Sequence, residues 1–205
     1  MPEITVGGMG TIGSWLSFFL TRASFPLVIY DFDSVDITNV EGGQLYPRNA
    51  IGKLKTEAFL DMSIVYSGFT EIEVCSEFTT DSMISDVCVA GFDNMRARKL
   101  MWEAWKANDN RELFIDGRLS AENFQIYVVK RDDDYTKYEA TLFEDNEVEE
   151  LPCSYKATSH CGAMIGSYIT GIITNWLTNY RIGDEISEVP FNINMQVPIM
   201  KYECL

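Results

Sequence analysis

Near the N-terminus, Gly8-Met9-Gly10-Thr11-Ile12-Gly13 fits the pattern G-x-G-x-x-G. It follows a short β-prone run, Glu3-Ile4-Thr5-Val6, and precedes a helical one, Ser14 to Ala23, which is the context that gives the pattern meaning. Glycines at this spacing allow a tight turn and let backbone approach a phosphate closely, while the helix N-terminus offers unpaired N–H groups and the positive end of a dipole. Asp31 follows the next apolar run, Leu27-Val28-Ile29-Tyr30. A carboxylate roughly twenty residues after such glycines is placed to hydrogen-bond a ribose hydroxyl. Together Gly8, Gly10, Gly13 and Asp31 point to an adenosine-containing ligand and leave open which one.

The elements that must position these residues follow from periodicity. Residues 3–33 read as one β-α-β unit, with Pro26 closing the helix and a continuous apolar run suited to a buried parallel strand. Residues 34–52 read as loop, with Gly42-Gly43, Pro47 and Gly52 as breakers. Helices are expected over 53–65, 94–108 and 158–179, a helical turn at Ser82 to Ile84, and strands at 72–75, 87–90, 113–115 and 124–129. Residues 189–203 read as an extended pair closing on 124–129. The charged stretch 131–150 reads as a long loop over the carboxyl edge of the sheet. The fold class expected is α/β: a Rossmann-like, mainly parallel sheet with helices on both faces and a C-terminal antiparallel extension, forming a single domain over 1–205.

Composition narrows the partners. With 205 residues and a net charge of −15, the chain lacks the clustered cations needed to neutralise nucleic acid or to dock on an anionic membrane. No stretch approaches the ~20 apolar residues of a spanning helix, and MPEITVGG is not a secretory signal, so the cytoplasm is the expected location. Cys75, Cys88, Cys153, Cys161 and Cys204 form no C-x-x-C pair, which suggests reduced thiols and argues against a four-thiolate zinc.

Three further segments carry a family resemblance. Asp31-Phe32-Asp33-Ser34-Val35-Asp36-Ile37-Thr38-Asn39-Val40 resembles the D-x-D-x-V-x-x-S-N-L segment of the ThiF/MoeB/ubiquitin-activating family. Gly52-Lys53-Leu54-Lys55 resembles its G-x-x-K, and Asp93-Asn94-Met95-Arg96-Ala97-Arg98 its D-N-x-x-x-R, in the same order over roughly residues 4–130. The resemblance implies ATP held by the three glycines, Asp31, Asp33, Asn39, Lys55 and Asn94, with Lys55 on the phosphates and Asp93 binding Mg²⁺. The implied reaction joins the C-terminal carboxylate of a ubiquitin-like protein, sulfur-carrier protein or peptide to AMP. A homodimer is implied as well. Taken singly, Lys55 also reads as a solvated helix lysine and Asp93 as a helix cap.

The chain departs from the family in places. Relatives continue N-L-x-R-Q, where this chain has Asn39-Val40-Glu41-Gly42-Gly43-Gln44, one residue longer and without the arginine. Arg48 or Arg118 is the candidate replacement. Relatives also carry N-terminal helices bearing an arginine for a partner subunit's site; this chain opens on its first strand. Some relatives use a cysteine ahead of the last helix for acyl transfer, and Cys153, near Lys156, is the candidate. Cys161 and His160 read as a buried thiol and a packed or capping imidazole. Two rival readings stand beside the adenylyltransferase: a nicotinamide-dependent oxidoreductase, and an inactive scaffold subunit.

Overall fold

The computed structural model describes residues 1–144, 158–182 and 188–205. Its described strands form one sheet of eight, ordered β3-β2-β1-β4-β5-β6-β7-β8. The first five are β1 (Ile4–Gly7), β2 (Leu27–Tyr30), β3 (Ile72–Cys75), β4 (Val87–Ala90) and β5 (Leu113–Ser120), and these pair in parallel. β6 (Asn123–Lys130), β7 (Asn192–Gln196) and β8 (Lys201–Cys204) extend the sheet antiparallel. β1, β2 and β4 are buried along their whole length, as their unbroken apolar runs require.

Alternation along the strands sends side chains to two cores. On one face Ile4, Val6, Ile29, Val89 and Ile115 pack with α1 (Thr11–Arg22), α3 (Lys55–Ser67) and α6 (Ser159–Ile182). On the other, Tyr30, Cys88, Phe114 and Val129 pack with Trp102 and Trp105 of α4 (Met95–Ala107) and Tyr138 of α5 (Tyr135–Glu139). Helices therefore cover both faces.

Several sequence expectations need correcting. Within 34–52, Ile37–Gly42 forms a short helix α2, because Asp36 and Asn39 make a reciprocal capping box and Gly43 ends it at φ 102°. Within 131–150, Tyr135–Glu139 is helical rather than loop: Asp134 caps it and Tyr138 anchors it in the core. Ser82 to Ile84 is not helical; the Ser82 hydroxyl instead accepts from the Thr79 amide in a side-chain-mediated turn. β5 and β6 are eight residues each, longer than their apolar cores, since they pair as a tight hairpin through Ser120 and Asn123.

α1 and α6 pack more extensively than any other helix pair. Their approach is set by Gly166, where an added Cβ would lie 2.9 Å from the Leu16 backbone nitrogen. Gly166→Val forces the two helices apart; overpacking of this kind costs about 1–3 kcal/mol. The thermal midpoint is expected to fall by about 2–4 °C per kcal/mol in a chain of this size. An unchanged midpoint in a calorimetric scan would show that the helices are not in this contact.

Candidate nucleotide-binding site

β1 lies between β2 and β4, so successive crossovers leave it in opposite directions. In open α/β sheets the crevice outside the carboxyl ends at such a switch point is where ligands bind. Two turns flank it here. One is the β1–α1 turn, residues 8–10; the other is the β4–α4 turn, residues 91–94. The Gly91 amide donates to the Gly7 carbonyl at 2.7 Å, locking the turns together.

The glycine turn has the shape that its sequence demands. Gly8 sits at φ 83°, a left-handed conformation costly to residues with a side chain. A Cβ on Gly13 would fall 1.8 Å from the Gly8 carbonyl oxygen. Helix α1 begins after Gly10 with no side-chain cap, so its N-terminal amides have no side-chain acceptor. Around Gly10 the space is open, with the Gln44 amide nitrogen 3.9 Å from where a Cβ would stand. The Gln44 side-chain oxygen is buried and has no hydrogen-bond partner among the described residues. The uncapped helix start suits a phosphate-bearing ligand, while the unpaired Gln44 oxygen is an acceptor and suits a donor group.

Asp31, immediately after β2, fixes the turn from one side. Its Oδ2 accepts from the Met9 amide at 2.6 Å and its Oδ1 from the Asp33 amide at 2.8 Å. Burial raises its pKa, opposed by the Lys55 charge and by these two amides. Tyr46 closes the other side, its hydroxyl donating to the Met9 carbonyl at 2.7 Å. Burial, then the charges of Asp31 and Asp33, push that phenol well above its usual pKa.

Lys55 reaches the same place through a small antiparallel patch. The Val35 amide donates to the Lys53 carbonyl and the Lys55 amide to the Asp33 carbonyl, and Ser34 bridges Leu54. The patch sets the buried Lys55 Nζ 2.8 Å from Asp33 and 4.0 Å from Asp31. Lys55 is thus not a solvated lysine. Asn94, rather than Asp93, caps α4, accepting from the Ala97 amide at 2.8 Å while its amide donates to Asp93 Oδ1 at 3.1 Å. Asp93 itself is exposed at the crevice. Asn39 spends its side-chain oxygen on the capping box with Asp36, so its contribution here is to order the loop.

The candidate replacement arginines differ. Arg48 forms an exposed ion pair with Glu41 at 3.3 Å, a contact worth under about 1 kcal/mol and easily exchanged. Arg118 is committed elsewhere: it pairs with fully buried Asp116 at 2.8 Å, donates to the Thr141 carbonyl and stacks over Tyr127. Arg98, the arginine of the D-N-x-x-x-R segment, is buried against the same Asp116, the Gly117 carbonyl and the Phe92 carbonyl. Its role is to tie the β4–α4 turn to β5. Cys153 and Lys156 lie outside the described residues. The Cys161 thiol is fully buried, and burial, then the Glu122 charge, push its pKa up despite its place in the first turn of α6. Sequence reasoning did not identify Gln44 or Tyr46 as site residues, although Gln44 stands where the family segment ends in glutamine.

Among the described residues, no helix is long and apolar enough to cross a membrane. The family model described as "ThiF family" matches residues 2–203. The chain is 28% identical over 92 residues to a tRNA threonylcarbamoyladenosine dehydratase of Haemophilus influenzae, covering 44% of this chain and 35% of that protein. Its fold is similar to PaaA (TM-score 0.71, 15% identity, 99% of this chain and 63% of that one). It is also similar to the microcin C7 biosynthetic enzyme MccB in complex with N-formylated MccA (TM-score 0.76, 13% identity, 100% and 64%). An E. coli MccB structure with AMPCPP and MccA is similar too (TM-score 0.74, 13% identity, 100% and 63%). The chain therefore spans about a third of the length of the dehydratase and just under two thirds of the solved structures. With a family model covering nearly all of its residues and the expected glycine turn, Asp31 and Lys55 in one crevice, the chain belongs to the ThiF family.

Proposed function

We propose that this chain is the nucleotide-binding unit of an ATP-dependent adenylyltransferase. Its second substrate is the C-terminal carboxylate of a peptide or of a small ubiquitin-like or sulfur-carrier protein. A carboxylate oxygen bonds to the α-phosphorus of ATP and the bond to the β-phosphate oxygen breaks, giving an acyl adenylate and pyrophosphate. The observation carrying this reading is the convergence at one switch point of the uncapped glycine turn, the Asp31–Asp33–Lys55 cluster and Asp93. A peptide partner is favoured by the similarity in fold to MccB, solved with AMPCPP and MccA together.

The nucleophile is already ionised at neutral pH, so the site needs no general base; it must position two anions and offset their charge. Asp31, fixed by two amides, is oriented to receive the ribose hydroxyls. Lys55 shares its charge between Asp31 and the half-exposed Asp33, a rim contact that a phosphate oxygen can displace. The amides at the start of α1, with Gln44 beside them, would receive phosphate oxygens. Asp93 offers the hard oxygen ligand that Mg²⁺ prefers, and the ion would supply charge neutralisation for the polyphosphate. Arg48 is free to exchange Glu41 for a phosphate. The reading includes a homodimeric, cytoplasmic protein of one domain, and acyl transfer to Cys153 as a following step.

A second reading, an inactive scaffold half, has one observation in its favour. Arg118 is sequestered by Asp116, and among the described residues Lys55 is the one cation touching the Asp31–Asp33 pair. Mg-ATP at a hundredfold excess over its dissociation constant stabilises a binding protein by roughly 3 kcal/mol. A rise in midpoint with Mg-ATP and none with NAD is the expected result; NAD alone raising it would favour an oxidoreductase, and neither doing so the scaffold. Lys55→Ala and Asp93→Ala should each lower carboxylate-dependent ATP–pyrophosphate exchange by about 10²–10³, the typical effect of removing one transition-state contact.

Asp31 gives a prediction for both stability and binding. A carboxyl whose pKa rises on folding binds its proton more tightly in the folded chain, so protonation stabilises the fold as pH falls and ionisation costs stability as pH rises through the folded pKa. The parent's thermal midpoint should therefore carry a component that falls as pH rises through the folded pKa of Asp31. Asp31→Asn, which turns one of the two amide-accepting oxygens into a donor, should lose that component of the pH dependence and lose stabilisation by Mg-ATP. A variant that keeps the parent's pH dependence would contradict this account.

A further inference from the structure

The β5–β6 hairpin turns through two residues, Ala121 and Glu122, with Ser120 paired to Asn123. Ala121 holds φ 53°, and the Glu122 carbonyl accepts from the Val197 amide at 3.0 Å, fixing the turn against the segment after β7. The first turn of α6 meets it there. His160 Nε2 lies 3.3 Å from Glu122 Oε1, and the donor atoms of Glu122, His160 and Cys161 all fall within 4.8 Å of one another. We propose that these three residues form a binding site for a thiophilic divalent metal ion, zinc.

The donor set argues for the metal's identity. A thiolate with an imidazole and a carboxylate suits zinc, whereas Mg²⁺ and Ca²⁺ prefer all-oxygen ligands. Three protein donors match the zinc sites that keep a fourth position open. Zn–S near 2.3 Å and Zn–N near 2.0 Å in a tetrahedron set donors about 3.5 Å apart, so donors lying within 4.8 Å of one another need a closure of at most about 1.3 Å. Burial is graded: Cys161 is fully enclosed, while the His160 and Glu122 side chains are 52% and 36% exposed. An ion can thus enter from the imidazole side and close onto the thiol. Two ligands come from a helix and one from a hairpin, so the ion would clamp α6 to β5–β6. The clamp sits next to the crevice, because Gly162 packs against Thr11 at the start of α1. The site is separate from the proposed nucleotide contacts and stands whether or not adenylation is the reaction.

The test is titration of the metal-free full chain with Co²⁺, whose thiolate complexes show a ligand-to-metal charge-transfer band. One equivalent should develop that band, and Zn²⁺ should abolish it by displacement. Cys161→Ala should lose the band, and His160→Gln, a surface change that leaves the fold intact, should weaken binding about tenfold or more. Zn²⁺ should raise the thermal midpoint of the parent by more than that of His160→Gln. The proposal is overturned by a parent with no band, by a band undiminished in Cys161→Ala, which would assign the ion to another thiol, or by unchanged affinity in His160→Gln.

Discussion

Gly13 approaches the Gly8 carbonyl so closely that a single methyl group at Gly13 would lie 1.8 Å from it. That contact brings the start of α1 directly over the end of β1, and everything built around the crevice inherits its position from there. Because the helix begins tight against the strand, its uncapped amides face outward at the switch point. The Met9 backbone between them is held from both sides, its amide by Asp31 and its carbonyl by Tyr46. The second turn is keyed to the first through the Gly91 amide. A side chain at either glycine would disturb this backbone before it disturbed any catalytic group.

The opposite core does a different job. Asp116 is fully buried between two guanidiniums and the Tyr138 hydroxyl. Isolated, a carboxylate there would be strongly disfavoured; surrounded by donors it becomes a hub that ties α4, α5 and the end of β5 together. This explains why an arginine that resembles a phosphate ligand in sequence has another partner in space. Arg118 follows an Asp-Gly pair, as a site residue could, but it lies within β5, and Asp116, two residues away on the same strand, takes its charge. The contrast with Asp31 is instructive. There, burial outweighs the Lys55 charge and the two amide donors and raises the carboxyl pKa.

Much of this was legible in the residues because the signals are local. The glycine pattern, the apolar runs of β1, β2 and β4, and the helices α1, α4 and α6 depend on periodicity and on turns spanning a few positions. The capping box at Asp36 and Asn39 is local too, but three breakers nearby masked the short helix that it starts. Tyr135–Glu139 was illegible for another reason: the five residues show no apolar period, and burial of Tyr138 against Asp116, added to the Asp134 cap, holds them helical.

The order of elements, the nucleotide-type turn and the carboxylate after β2 were determined by the sequence alone, since each rests on steric rules acting over neighbouring residues. Only the tertiary structure decided which charges are available. Lys55 is drawn into the crevice by backbone pairing between 33–35 and 53–55, while Arg118 is drawn out of it by Asp116. Gln44 comes to rest against Gly10, and Glu122 comes within reach of His160 and Cys161 across 38 positions of chain. Sequence spacing does not report such meetings, because they are fixed by how the sheet orders its strands and how closely α6 packs on α1.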